Sequence, residues 1–259
     1  MPSGKNFPRF MTDRPGKEVF FISDAHLGFP SLSRSLPREK MLVRWLREIK
    51  PRTQALFLVG DMFDFWYEYK RVVPRGFTRF LGEVACFTDE GIPVHFFTGN
   101  HDLWTTDYLE KETGMIIHRE PLRTRIGHHR FLIAHGDGLG PGERGYKLMK
   151  RIFRSRILQW CFSRLHPNFS LWFGHTWSHS SRRARENEPF LGADKEHLFQ
   201  YAKKENENDP VDYFIFGHRH HPVLEKLNEN SKIIYLGDWV DHFTYAVYNG
   251  EKVELKKYR

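Results

Sequence analysis

The sequence predicts an α/β layered fold, and three observations carry that expectation. Short apolar runs rich in β-branched and aromatic residues recur along the 259 residues, helix-like stretches fall between them, and each run ends abruptly in polar residues. The runs are continuous rather than alternating, as strands buried on both faces require. Composition agrees: 40% hydrophobic and 28% charged residues excludes wholesale disorder.

Taken in order, strands are expected at Val19–Ile22, Ala55–Val59, Val94–Thr98, Phe131–Ala134, Tyr213–Phe216 and Ile233–Leu236. Helices are expected at Pro37–Ile49, Phe77–Glu90 and Asp194–Glu205. The tail from Trp239 to Lys257 reads as a closing hairpin with Asn249-Gly250 as its turn. Tyr146–Leu165 reads as one amphipathic helix. Met149, Ile152, Phe153, Ile157 and Trp160 share an arc of roughly 140° on the helical wheel, and Lys147, Lys150, Arg151 and Arg154 occupy another side. Pro167–Trp177 is aromatic-rich. The expected organisation is a single domain over residues 1–259 with a helical cap inserted at 140–190.

The net charge of +8 is concentrated in that insert, where ten Lys/Arg between Pro141 and Arg185 meet one acid, Glu143. A near-neutral body with one basic insert points to an anionic partner met at one place. The insert could pack its apolar face on the core and leave its basic face in water. It could also touch a lipid-bearing substrate or a membrane surface. Cys86 and Cys161 are the only cysteines, which excludes a disulfide framework and a four-cysteine zinc site and fits a reducing compartment. Met1–Lys17 lacks the apolar run of a signal peptide, and no 18-residue apolar stretch occurs. The expected localisation is cytoplasmic.

The residues that follow the strands carry the chemistry. After the first comes Asp24-Ala-His26; after the second, Gly60-Asp61-Met-Phe-Asp64; after the third, Gly99-Asn100-His101-Asp102. After the fourth comes His135-Gly136-Asp137, and after the fifth, Gly217-His218-Arg-His220. Ligands bind at the carboxyl ends of strands in such sheets. Carboxylates, an amide oxygen and imidazoles gathered there, without thiolate, suit divalent metals. Side chains at i and i+2 of an extended segment point the same way, so Asp24 with His26, and His218 with His220, can chelate one ion each. His128, His129 and His221 read as loop residues. Gly174-His175-Thr-Trp-Ser-His179 echoes a metal motif but follows no strand, and reads as surface or lid.

The five motifs, in this order over residues 24 to 220, resemble the calcineurin-like metallophosphoesterases. The resemblance implies two packed β-sheets flanked by helices, with two metals at the strand ends. It implies that Asp24, His26 and His220 hold one metal, that Asn100, His135 and His218 hold the other, and that Asp61 bridges them. A hydroxide between the metals would then attack phosphorus. His101 would stabilise charge or protonate the leaving oxygen, and Asp64 would orient His101.

Within the superfamily the chain looks like the UDP-2,3-diacylglucosamine diphosphatase branch. Gly60-Asp-Met-Phe-Asp-Phe-Trp66, Tyr146 eleven residues after His135, the basic cap, and Leu236-Gly-Asp-Trp239 all resemble that branch. It departs at one place, with His101 where well-known members have Arg. The implied reaction releases UMP and 2,3-diacylglucosamine 1-phosphate, with Mn²⁺ as the implied metal. Tyr146, Arg154 and Asp137 are the candidate substrate contacts, and peripheral contact with the inner face of the membrane is expected. The alternatives are a phosphoesterase for soluble nucleotides, phosphoproteins or nucleic acid, or a non-catalytic, metal-stabilised interaction module. No protein partner is indicated, and nucleic acid is not the expected partner, although a basic patch with aromatics could bind single strands by stacking.

Overall fold

The computed structural model describes all residues except 1–8, 12–15, 142–143, 186–189, 191, 193–194 and 259; side chains are also undescribed at 9–11, 144–146, 156 and 179–185. The elements run β1 (Arg9–Met11), β2 (Glu18–Ile22), α1 (Leu32–Ile49), β3 (Thr53–Leu58), α2 (Thr78–Asp89), β4 (Val94–Phe97), α3 (Tyr108–Thr113), β5 (Ile116–His118), β6 (Leu122–Ile126) and β7 (His129–Ala134). Then follow α4 (Arg144–Phe153), α5 (Arg156–Phe162), α6 (Pro167–Arg185), α7 (His197–Asn208), β8 (Tyr213–Phe216), β9 (Pro222–Lys226), β10 (Lys232–Leu236), β11 (Thr244–Tyr248) and β12 (Val253–Lys257).

The strands form two six-stranded sheets, ordered β12-β11-β2-β3-β4-β5 and β1-β6-β7-β8-β10-β9. The period-2 pleat divides each strand between two cores. Val19, Phe21 and Phe57 of one sheet meet Phe131, Ile133 and Ile215 of the other, and Phe21 stacks on Phe131 across the gap. The alternate residues Phe20, Ile22, Leu56 and Leu58 face α1 and α2. On the far side Leu132, Phe214 and Tyr235 bury Leu198, Phe199 and Ala202 of α7. The result is four layers, helix–sheet–sheet–helix. Burial on both faces explains why the strands read as unbroken apolar runs.

The six expected strands are present, each within two residues of its expected ends. Sequence reading missed β1, β5, β6 and β9, which lie at or near sheet edges; β1, β6 and β9 carry charged residues, and β5 is only three residues long. The first helix begins at Leu32, five residues before Pro37, because Ser31 caps it by accepting from the Arg34 N–H at 3.3 Å. The second starts at Thr78 without a capping side chain of its own. Glu39 of α1 supplies the cap from a neighbouring helix, accepting from the N–H groups of Arg79 and Phe80. The expected single helix over Tyr146–Leu165 is two helices, broken at Arg154-Ser155. His129 opens β7 and pairs with the Tyr248 hydroxyl, so it is not a loop residue. The closing hairpin begins at Thr244, and the Asn249 side chain accepts from the N–H groups of Glu251 and Lys252 at its turn.

His95 of β4 is buried and its Nδ1 lies 2.9 Å from Nε2 of His118. Burial first, and then the neighbouring His118, push His95 down to about 3; burial pushes His118 down to about 4. The unfolded chain takes up these protons near pH 6.5, so native stability is intact above that value and is lost as pH falls toward the folded values. His95 alone should cost about 1.4 kcal/mol per pH unit across that window, with a smaller contribution from the more exposed His118. Urea midpoints measured from pH 7 to pH 5 should fall, and His95→Phe should flatten the fall by about one proton's worth.

Candidate metal centre

The parallel strands β2, β3, β4 and β5 of the first sheet and β7, β8 and β10 of the second end on one side, and their loops lace together beyond the strands. The N–H groups of Asp24, His26 and Leu27 donate to the carbonyls of Gly60, Asp61 and Met62, so the first two loops continue β2 beside β3. The Gly217 N–H donates to the His135 carbonyl, and the Trp239 N–H to the Asp24 carbonyl. Arg38 of α1 clamps the first loop from behind by donating to the carbonyls of His26 and Phe29. Asp102 accepts from the N–H of Gly99 at 2.6 Å and of Met62 at 2.9 Å, tying the third loop to the second. Burial, and then the charge of Asp61, push its carboxyl up to about 8.

The side chains converge as the motifs imply. Asp24, His26 and His220 bring ligand atoms within 4.8 Å of one another, and so do Asp61, His135 and His218. A third group, His26, Asp61 and His101, links the two. Asp61 Oδ2 lies 3.2 Å from His135 Nε2, 3.9 Å from His101 Nε2 and 4.0 Å from His26 Nε2. Asp24 Oδ1 lies 3.4 Å from His220 Nε2 and 3.7 Å from His26 Nε2. Asp24, His26, Asp61, His218 and His220 all have φ between 41° and 66°. That left-handed conformation is uncommon outside glycine, but Asp and His are among the side chains that tolerate it. Strain of this kind persists only where the surroundings over-determine it.

The donor set fits cations. Burial alone would raise the Asp61 carboxyl, yet the imidazoles of His135, His101 and His26 hold it well below its ordinary value. Burial would lower His135, yet Asp61, followed by Asp24 and Asp137, raises it. Opposite shifts on facing groups mark a buried pocket that demands positive charge. Two buried oxygens, Asp24 Oδ1 and Asn100 Oδ1, accept no hydrogen bond from the described residues. Such orphans are costly unless something else satisfies them. Oxygen and imidazole donors around a shared carboxylate suit a pair of divalent ions. Behind the site, Asp238 accepts from three consecutive N–H groups, Val240 to His242, and its Oδ2 lies 3.4 Å from His220 Nδ1. His220 and these N–H groups hold the Asp238 carboxyl below its usual range against burial. This is the outer partner that fixes a ligating imidazole. Its only sequence signal was the Leu236-Gly-Asp-Trp239 run.

Asp64 and His101 meet differently from the expectation. His101 Nδ1 lies 2.8 Å from the main-chain carbonyl of Asp64, while the Asp64 carboxylate reaches α6: Oδ2 lies 3.0 Å from His175 Nδ1, and Oδ1 accepts from the Ser178 hydroxyl at 2.8 Å. His175 is therefore on the lid, as expected, but it is not a surface residue in function; it anchors the lid to the centre. Along α6 the buried side is Ser170, Gly174 and Ser178, at i, i+4 and i+8, whereas Phe169, Trp172, Phe173 and Trp177 are exposed. Apolar patterning alone points the other way, and the signal it hides is the spacing of the small residues. A Cβ on Gly174 would sit 2.3 Å from the Phe65 ring, so only glycine lets α6 lie this close.

Of the candidate substrate contacts, Asp137 pairs with Lys150 at 2.5 Å, and Arg154 pairs with Glu120 at 2.8 Å and donates to the Arg119 carbonyl. Tyr146 lies in α4, and its side chain is outside the described residues, as is that of His179. Two cavities flank the centre. One, mainly apolar, runs from Asn100 and His101 to Met149, Phe153, Phe162 and Trp177. The other is polar, lies beside His135, and is lined by His118, Asp137, Lys150 and Arg154.

Residues 18–222 match the calcineurin-like phosphoesterase family. A UDP-2,3-diacylglucosamine hydrolase of Porphyromonas gingivalis is 38% identical over 92% of this chain and 97% of its own. The protein of that name from Aeromonas hydrophila is 26% identical over 86% of this chain and 91% of its own. Among solved structures, Yfce, a phosphoesterase from E. coli, aligns with a TM-score of 0.45 at 15% identity, covering 93% of this chain and 92% of that one.

A Cβ on Gly99 would lie 2.2 Å from Asp61 Oδ1. Gly99→Ala should therefore displace the shared carboxylate while leaving both sheets intact. Metal analysis after Mn²⁺ loading should show clearly less than two ions per chain, with a far-ultraviolet dichroism spectrum like that of the parent.

Proposed function

The chain belongs to the calcineurin-like phosphoesterases, and from that premise we propose that it hydrolyses the pyrophosphate of UDP-2,3-diacylglucosamine. Water enters at the α-phosphorus, the bond to the bridging oxygen breaks, and UMP and 2,3-diacylglucosamine 1-phosphate leave. The observation that carries the reading is the mainly apolar cavity that starts at Asn100 and His101 and is lined by aromatic side chains of α4, α5 and α6. A phosphoester lodged at the metal ligands would have its acyl chains there. Each buried methylene contributes about 0.8 kcal/mol. Lys150 lines both cavities, which suits an anionic link between an apolar half and a nucleotide half. The relatives' name agrees with this substrate.

We assign Asp24, His26 and His220 to one divalent ion, Asn100, His135 and His218 to a second, and Asp61 to both, with Mn²⁺ as the metal. When bound, such ions supply a nucleophilic hydroxide near neutral pH and neutralise phosphoryl charge. The chain's own residues do the rest. His101, with Nδ1 held by the Asp64 carbonyl, presents Nε2 on the Asp61 side, where the doubly protonated imidazolium donates to a phosphoryl or leaving oxygen. Its presence where related enzymes of the branch carry Arg keeps one donor at that spot. Asp137 and Arg154, in the polar cavity, are assigned to the nucleotide half, and Tyr146 to the lid side of the substrate. We read residues 1–259 as one domain with 140–190 as its cap.

No helix among the described residues is long and apolar enough to cross a membrane. Ten of the fourteen exposed large hydrophobics among the described residues lie between Leu148 and Trp177, among them Ile157, Trp160 and Trp172. Of the two readings of the insert, packing on the body holds for Phe153 and Phe162, which lie against Trp104, whereas Ile152, Ile157 and Trp160 are exposed. An exposed apolar face with interspersed basic side chains supports reversible contact with an anionic membrane, on the cytoplasmic side where a UDP-linked lipid is handled.

Mn²⁺-loaded protein should release UMP from UDP-2,3-diacylglucosamine with kcat/KM at least about 100-fold above that for UDP-N-acetylglucosamine, the equivalent of burying a few methylenes. Equal rates would remove the acyl-chain role. Asp61→Asn should lower kcat by roughly 1000-fold, about 4 kcal/mol, through loss of the shared charge.

A further inference from the structure

Ser178 stands at the junction of lid and centre. It is 3% exposed, and its hydroxyl lies 2.9 Å from His101 Nδ1 and 2.8 Å from Asp64 Oδ1. The ionised Asp64 carboxylate can only accept, so the Ser178 O–H donates to it. The Ser178 oxygen then accepts from His101 Nδ1–H, which also donates to the Asp64 carbonyl at 2.8 Å. Every proton in this chain of groups has one consistent place. His101 is held with a proton on Nδ1, and its Nε2 faces the centre, where a second proton makes it a donor.

Ser178 comes from the inserted α6, not from the strand-end loops that carry the metal ligands. Two further contacts seat that helix. His175 Nδ1 lies 3.0 Å from Asp64 Oδ2, and Gly174 lies flat on the Phe65 ring. All three contacts go to the Asp61–Trp66 stretch or to His101. The small residues of α6 thus make the joint, and its aromatics are left for other surfaces.

We infer that Ser178 is a positioning residue for His101, and that seating of α6 on Phe65 and Asp64 sets the orientation of that histidine. The lid in this reading does more than shelter the substrate: it completes the hydrogen bonding of a group at the reacting phosphorus. A lid lifted by one small displacement leaves both cations' ligands in place and misaligns His101. The inference rests on the phosphoester reading of the centre only for its kinetic consequence, since the hydrogen-bond relay stands on geometry.

Two measurements test it on the full-length, metal-loaded protein. The first is the ring ¹⁵N spectrum of His101 in the diamagnetic Zn²⁺ form. Ser178→Ala should shift the Nδ1 resonance and Ser178→Thr, which keeps the hydroxyl, should restore it; an unmoved resonance in Ser178→Ala overturns the proposal. The second is turnover. Ser178→Ala and Gly174→Ala should each lower kcat at least about tenfold, with KM for the lipid little changed and two metals still bound, and Ser178→Thr should recover most of the loss. A rise in KM with kcat intact would mean that α6 only binds substrate, and the proposal would be wrong. Absence of all turnover in the parent protein would count against the phosphoester reading, and the ¹⁵N measurement would still decide the role of Ser178.

Discussion

Packing the carboxylates of Asp24, Asp61, Asp64 and Asp102 into one dry cleft is the constraint to which the rest of the molecule answers. Like charges removed from water repel strongly, and each must find compensation within reach. The fold provides four kinds. Asp102 spends its oxygens on two backbone N–H groups, and burial beside Asp61 shifts it toward the neutral acid. Asp64 is met by His175 and Ser178. Asp61 is ringed by imidazoles. Asp24 takes the His218 N–H on one oxygen and leaves the other for an ion. The two sheets, laced loop to loop, are the frame that keeps these four from moving apart.

Most of this frame was legible in the sequence, for an identifiable reason. A strand sandwiched between two cores must be apolar at every position, so β2, β3, β4, β7 and β8 announce themselves, and the polar residues after them can only be rim residues. Edge strands obey no such rule. β9, with Leu224 exposed and Glu225 and Lys226 beside it, has nothing to distinguish it from a loop. The start of α2 was placed within one residue although its cap, Glu39, is a tertiary contact, whereas α1 begins five residues before the expected Pro37, at the local cap Ser31. The Asp and His side chains picked out by position after strands do come together, in three groups whose atoms lie within 4.8 Å of one another.

The lid was harder to read, and α6 shows why. Hydrophobic patterning assumes that the apolar side of a helix faces the protein. Here a row of Ser170, Gly174 and Ser178 faces the protein and the rings face out. Close approach to Phe65 and hydrogen bonding to Asp64 outweigh burial of indole rings, because the rings have another destination. His175 was set aside on the same assumption: a histidine outside the strand-end motifs carries no local mark of a carboxylate 111 residues away in the chain. Arg38 shares that invisibility, bracing the first loop from behind through contacts that only the folded chain creates, and Asp238 was marked by nothing but the Leu236–Trp239 run.

The left-handed backbone at five ligand positions has an evolutionary consequence. At such a position the residues that fit without added strain are Gly, Asn, Asp and His, and branched side chains are the least tolerated. A lineage that lost its need for cations could not simply refill the rim with apolar residues, as it could refill a cavity in the core. Its accessible steps from Asp24, His26, Asp61, His218 and His220 are short polar ones, Asn or Gly above all. The backbone would thus preserve the outline of an empty centre long after the chemistry had gone, and a descendant carrying Asn and Gly at these sites would be better understood as a relic of this hydrolase frame than as an unrelated binding fold.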